Sequence, residues 1–187
     1  MAKSKANYVT AGLSGKVGKL FVFRQQDGET IVAKPSVRTK ALSQKQKNQI
    51  TRFAKATSYA KNALKDPSLK QSYEQEANKR KHVTAYNMAI ADYLRPPVID
   101  IVDTTAYTGK RTGEKITVLV DDVFKVTKLN FKITQSNGAL VEEGDASFAE
   151  GKWVYTSSVV NAQHSGSKIT ISATDRPGNK TIKETTL

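Results

Sequence analysis

The chain has 187 residues, 38% hydrophobic, 7% aromatic and 25% charged, which gives room for one domain or two small ones and excludes a wholly disordered chain. With no cysteine and only two histidines, His82 and His164, it excludes disulfide scaffolds, thiol catalysis, Cys-ligated metals and multi-histidine centres. The net charge of +13 lies in one half: residues 1–96 hold 19 Lys/Arg against 6 Asp/Glu, and residues 97–187 hold 11 of each. A basic half of this size attracts polyanions by counterion release, whatever its fold.

Residues 1–19 read as a polar arm punctuated by Gly12, Gly15 and Gly18. Their spacing is not that of a phosphate-cradling loop, so turn chemistry is the expectation. The arm lacks the apolar core of a secretory signal, and Ala2 excludes N-myristoylation. No apolar run reaches the ~20 residues of a membrane helix, so no membrane insertion is expected. The cytoplasm is the default compartment, with release as part of an assembly left open.

Leu20–Arg24 and Thr30–Lys34 are β-rich runs joined by a segment containing Asp27-Gly28, a hairpin signal. Alternation puts Phe21 and Phe23 on one face. A two-stranded hairpin is marginal in water, so these side chains should be buried somewhere, and base stacking is the less favoured role. Self-association through residues 1–35 is one route to that burial.

Residues 43–94 carry helical periodicity. Ser43 with Gln46 reads as a capping box, and Ile50, Phe53, Thr57, Ala60 and Leu64 as an inward stripe. Asp66-Pro67 breaks the run, Ser68 is available to cap a second helix, and Leu69, Tyr73 and Ala77 begin its apolar face. Lys79-Arg80-Lys81-His82 interrupts that face, which Val83, Tyr86, Ile90 and Tyr93 resume. The expectation is a helical hairpin, ended by Arg95-Pro96-Pro97 at a domain boundary between residues 1–96 and 97–187.

Beyond the boundary, Val98–Val102, Lys115–Val120, Leu129–Thr134, Lys152–Ser157, Lys168–Thr174 and Thr181–Thr186 are short strand-like runs between turn clusters, as in a β-sandwich. Asn137-Gly138 and Arg176-Pro177-Gly178-Asn179 mark hairpins. Trp153 and Tyr155 share a face, read as core. The fold class expected is α+β: a β-hairpin plus helical hairpin, then an antiparallel sandwich.

No constellation points to catalysis. Glu142 and Glu143 are adjacent on a strand end and would face opposite ways, which argues against paired-carboxylate chemistry. No nucleophile elbow exists. Asp100, Asp103, Asp121, Asp122 and Asp175 with Asn179 could supply oxygens to calcium, but no loop motif fixes them at ligand spacing. Asx-turns explain them more simply, so no metal and no cofactor is expected. The strongest functional signal is basic: Arg38, Lys40, Lys45, Lys47, Arg52 and Lys55, followed by Lys79, Arg80 and Lys81. Lys45, Arg52 and Lys55 fall on one helix flank. Such contacts to phosphate position a protein without reading sequence.

Val126–Thr134 leading into Asn137-Gly138, then Gly144, Gly151–Thr156 and the Ala173-x-Asp175-x-x-Gly178-Asn179 hairpin resemble bacterial immunoglobulin-like domains. That resemblance implies an Ig-like sandwich and no particular function. The first half is similar to uncharacterised bacterial families that open with a GLSGKVG-type segment (here Gly12–Gly18) and a hairpin, and later carry Ala85-Tyr86-Asn87. Residues 72–81, Tyr86 and Ala91-Asp92-Tyr93 faintly resemble the last two helices of an HMG box, although no matching first helix is evident. The reading is a non-enzymatic protein whose basic module holds a polyanion, nucleic acid first. The alternative is a structural subunit of a self-assembling or phage-like particle or filament that displays the Ig-like domain, with Phe21 and Phe23 in the packing contact.

Overall fold

The computed structural model describes residues 2–4 (backbone), 8–26, 28–37 and 40–187. The chain forms two compact units, Met1–Gln46 and Lys47–Leu187. The expected boundary at 96/97 falls inside the second.

The first unit is a four-stranded antiparallel sheet of β1 (Ala2–Ser4), β2 (Gly15–Val17), β3 (Phe21–Gln26) and β4 (Glu29–Ala33), in the order β1-β4-β3-β2. The expected hairpin is β3–β4, turning at Gly28 with φ +78°. Asp27 lies outside the described residues. The arm was expected to be irregular, yet it supplies both edge strands. Gly18 takes φ +56°, so the chain reverses between β2 and β3, and Val17 then pairs with Phe21. Alternation over three residues is too short a signal to read as a strand.

In the second unit, helices α1 (Gln44–Ala63, beginning just before the unit), α2 (Pro67–Asn78) and α3 (Ala85–Leu94) precede the sandwich. The capping box is present: Ser43 N donates to Gln46 Oε1, and Gln46 N to Ser43 Oγ. Helix α2 is capped by Asp66 rather than Ser68. Asp66 Oδ1 accepts from Ser68 N, and Pro67, whose φ suits a first helical position, follows it. The helical hairpin is a three-helix arrangement. His82 takes φ +61°, which a helix does not tolerate, and Thr84 caps α3 by accepting from Asn87 N. Three adjacent cations with a competing cap three residues on outweigh the apolar period. The α1 stripe also differs. Ala56 and Ala60 are buried, whereas Ile50 and Phe53 are about half exposed.

Sheets β5-β6-β10-β9 and β12-β11-β7-β8 form the sandwich, from β5 (Val98–Asp103), β6 (Lys115–Asp121), β7 (Val126–Thr134), β8 (Leu140–Asp145), β9 (Ser147–Ala149), β10 (Lys152–Thr156), β11 (Lys168–Asp175) and β12 (Lys180–Thr186). Lettered from β5, the sheets read A-B-E-D and G-F-C-C′, the strand order of an immunoglobulin-type fold. Ile116, Val118, Leu129, Phe131, Ile133, Ile169 and Ile171 alternate into a shared core. Phe131 stacks on Tyr155 at 4.8 Å. Trp153, expected inside with Tyr155, is only half-buried and lies edge-on to Phe148. The helices have their own core around Tyr73, Ala77 and Met88, closed by Val123 and Phe124 from the β6–β7 loop. The Phe124 ring is 4.3 Å from that of Tyr73.

Candidate functional site

Helix α1 carries Lys45, Lys47, Arg52 and Lys55 and no acidic residue, and every residue from 44 to 55 is exposed. The helical period places Lys45, Arg52 and Lys55 on one flank, with Lys47 on the other side. Arg52 is tied down, its guanidinium donating to the Leu94 carbonyl at the end of α3. Lys40 is exposed, and Arg38 lies outside the described residues. Lys79, Arg80 and Lys81 occupy the turn between α2 and α3. Two of them are engaged: Lys79 pairs with Glu76, and Arg80 donates to Val123 O. Lys81 points to solvent.

Phe21 and Phe23 share a face of the N-terminal sheet with Val17 and Val32, through the pairs Val17↔Phe21 and Phe23↔Val32. The opposite face carries Val22, Ile31 and Ala33 together with Lys16 and Arg24, through the pairs Lys16↔Val22 and Arg24↔Ile31. Among the described residues of this unit only Thr30 is buried, accepting from Gln25 Nε2. Phe21 is 48% exposed, Val17 57% and Leu20 69%.

A third feature is a carboxylate cluster where the helices meet the sandwich. Asp92 on α3, Asp122 just after β6 and Asp175 at the end of β11 each bring an oxygen within 4.8 Å of the others. Asp92 is wholly buried and Asp175 nearly so, while Asp122 is half-buried. Each is oriented by donors. Tyr73 Oη donates to Asp92 Oδ2 at 2.6 Å, and the Tyr59 and Tyr73 hydroxyls are 3.1 Å apart, which leaves Tyr59 as donor to Tyr73. Val123 N donates to Asp122 Oδ1. Asn179 gives its N–H to Asp175 Oδ1 and its amide to Asp175 Oδ2, and the same amide reaches the Asp92 and Tyr93 carbonyls. Asp92 Oδ1 and Asp122 Oδ2 are buried with no hydrogen-bond partner. Burial pushes the Asp92 carboxyl up to about 7, with Asp122 and Asp175 adding repulsion, and burial raises Asp122 and Asp175 as well.

Of the acids singled out from sequence, the structure brings together Asp122 and Asp175 and leaves Asp100 and Asp121 exposed. Asp103 makes the expected Asx-turn, accepting from Thr105 N. Asp175 also fits that reading through Asn179. Asp92 was not identified, although a lone acid four residues after Met88 on an apolar helix was a signal for it. Glu142 is buried and accepts from Ser158 N and Oγ, and Glu143 faces out. His164 Nε2 lies 3.0 Å from Tyr107 O. Among the described residues no helix is long and apolar enough to cross a membrane.

No protein-family model and no curated protein matches the chain. Among solved structures it is similar to the N-terminal part of the bacterial S-layer protein SbsC, at 15% identity and a TM-score of 0.29. The match covers 72% of this chain and 37% of that one.

Proposed function

We propose that the chain is a non-enzymatic structural subunit that assembles through its N-terminal sheet and carries the immunoglobulin-like sandwich as a spacer or display domain. What supports this reading is the sheet itself, which turns Val17, Phe21, Phe23 and Val32 to one face and buries no apolar side chain among its described residues. Stable domains need a second layer over a sheet, and covering a Val, Leu or Phe is worth about 1.5–3 kcal/mol each. A face carrying Val17, Phe21, Phe23 and Val32 suits a two-fold contact with the same face of another copy. The short edge strands β1 and β2 leave backbone groups for further pairing.

A second reading, polyanion binding, draws on α1, a 20-residue helix with cations, no acids and an exposed first half. Light scattering on nuclease-treated and untreated protein separates the two. Assembly predicts a mass well above 20.5 kDa after digestion, falling to the monomer in Phe21→Ser/Phe23→Ser. A mass that collapses on digestion alone transfers the function to the basic helix. A monomer under all conditions removes the assembly reading.

A further inference from the structure

We propose that Asp92, Asp122 and Asp175 form a binding site for a hard divalent cation of the calcium type, holding α3 to the ends of β6 and β11. The proposal is independent of the assembly reading.

Three carboxylates converge, and among the described residues none of them makes an ion pair; the nearby Arg176 acts on Asp92 only through its charge, its guanidinium lying 6.0 Å over the Phe124 ring. The described ion pairs all lie elsewhere, between Lys70 and Glu74, Lys79 and Glu76, Lys128 and Asp145, and Lys168 and Glu184. Buried carboxylates are normally paired, protonated or bound to metal. Two oxygens at this site, Asp92 Oδ1 and Asp122 Oδ2, have no hydrogen-bond partner, and the Asp92 side chain is completely enclosed.

The remaining oxygens are held by donors of a supporting shell, as ligating carboxylates commonly are: Tyr73 Oη on Asp92, Val123 N on Asp122 and Asn179 on Asp175. One oxygen of Asp92 and one of Asp122 are thus fixed, and the other is left open.

Ligand type and reach suit a hard ion. Three oxygens mutually within 4.8 Å share a centre at most about 2.8 Å from each, which admits the roughly 2.3–2.6 Å of calcium–oxygen bonds, and calcium tolerates an irregular set of carboxylates and waters where magnesium demands a near-ideal octahedron. An all-oxygen set disfavours zinc and copper, which take nitrogen and sulfur. The half-buried Asp122 side gives water a way to complete the coordination sphere.

The test is calorimetric titration of the full chain with calcium and with magnesium after chelator treatment, alongside thermal unfolding. The expected result is one calcium per chain, weaker magnesium binding, and a melting temperature that rises with calcium concentration as a native-state ligand requires. Asp122→Asn, at the least buried position, should keep the apo fold and lose at least about tenfold in calcium affinity. Two results would overturn the proposal: no calcium heat with an unchanged melting temperature in wild type, or an Asp122→Asn protein that binds calcium as wild type does.

Discussion

Asp92 sits where its helix neighbours Met88, Ala89 and Ile90 are all buried, so its carboxylate loses solvent and relies on the Tyr73 hydroxyl. Tyr73→Phe removes that donor while keeping the ring on Phe124. It should cost about 1–3 kcal/mol, measured by urea denaturation. The same burial sets a pH dependence for the protein in chelator. With its pKa raised to about 7 in the folded state, Asp92 holds a proton there that the unfolded chain releases. Its contribution is therefore full below about pH 4 and is lost as pH rises toward 7. Asp66, Asp103, Glu114 and Asp145 are lowered by hydrogen bonds and act in the opposite sense, but their window lies below the ordinary carboxylate range. A melting temperature that climbs steadily from pH 5 to 7 in chelator would contradict this assignment. At this scale the local half of the cluster was legible. Asp175 and Asn179 belong to one hairpin motif, whereas Asp92 meets them only through tertiary packing that no local pattern encodes.

Elements with strong alternation were readable, and those defined by their neighbours were not. β6, β7 and β11 follow from Ile116/Val118, Leu129/Phe131/Ile133 and Ile169/Ile171, which point inward as the period of two requires. β8 and β9 were missed: Leu140–Asp145 is half acidic, and Ser147–Ala149 is held as a strand by pairing with β10. Core depth should appear in mutant energies. Phe131→Ala should cost about 3–5 kcal/mol, and the half-buried Trp153→Ala clearly less, by chemical denaturation. Gly109 tests loop geometry. It takes φ +73°, and a Cβ there would lie 2.7 Å from the Asn161 carbonyl oxygen. Gly109→Ala should therefore lose more than the ~1–2 kcal/mol of a left-handed residue alone, whereas Gly138→Ala, with open space around it, should lose only that.

For the whole molecule, charge and apolar surface make opposite demands. Residues 1–46 hold nine Lys/Arg against two Asp/Glu, so copies meeting through this sheet repel one another. Salt screens that repulsion and strengthens apolar contact, while it weakens polyanion binding by counterion release. Self-association should therefore tighten between about 50 and 500 mM salt, and any nucleic-acid binding by α1 should fade over the same range. The basic half was plain in the sequence. What it left unread was that the N-terminal strands form a sheet whose described residues bury no apolar side chain, because that depends on β1 and β2 pairing across the arm. Sedimentation velocity of the nuclease-treated full chain and of residues 47–187, over a wide concentration range, tests the assembly claim most directly. The account predicts a sedimentation coefficient that rises with concentration for the full chain and stays at the monomer value for residues 47–187. Two monomers at every concentration, or equal association of both, would contradict it.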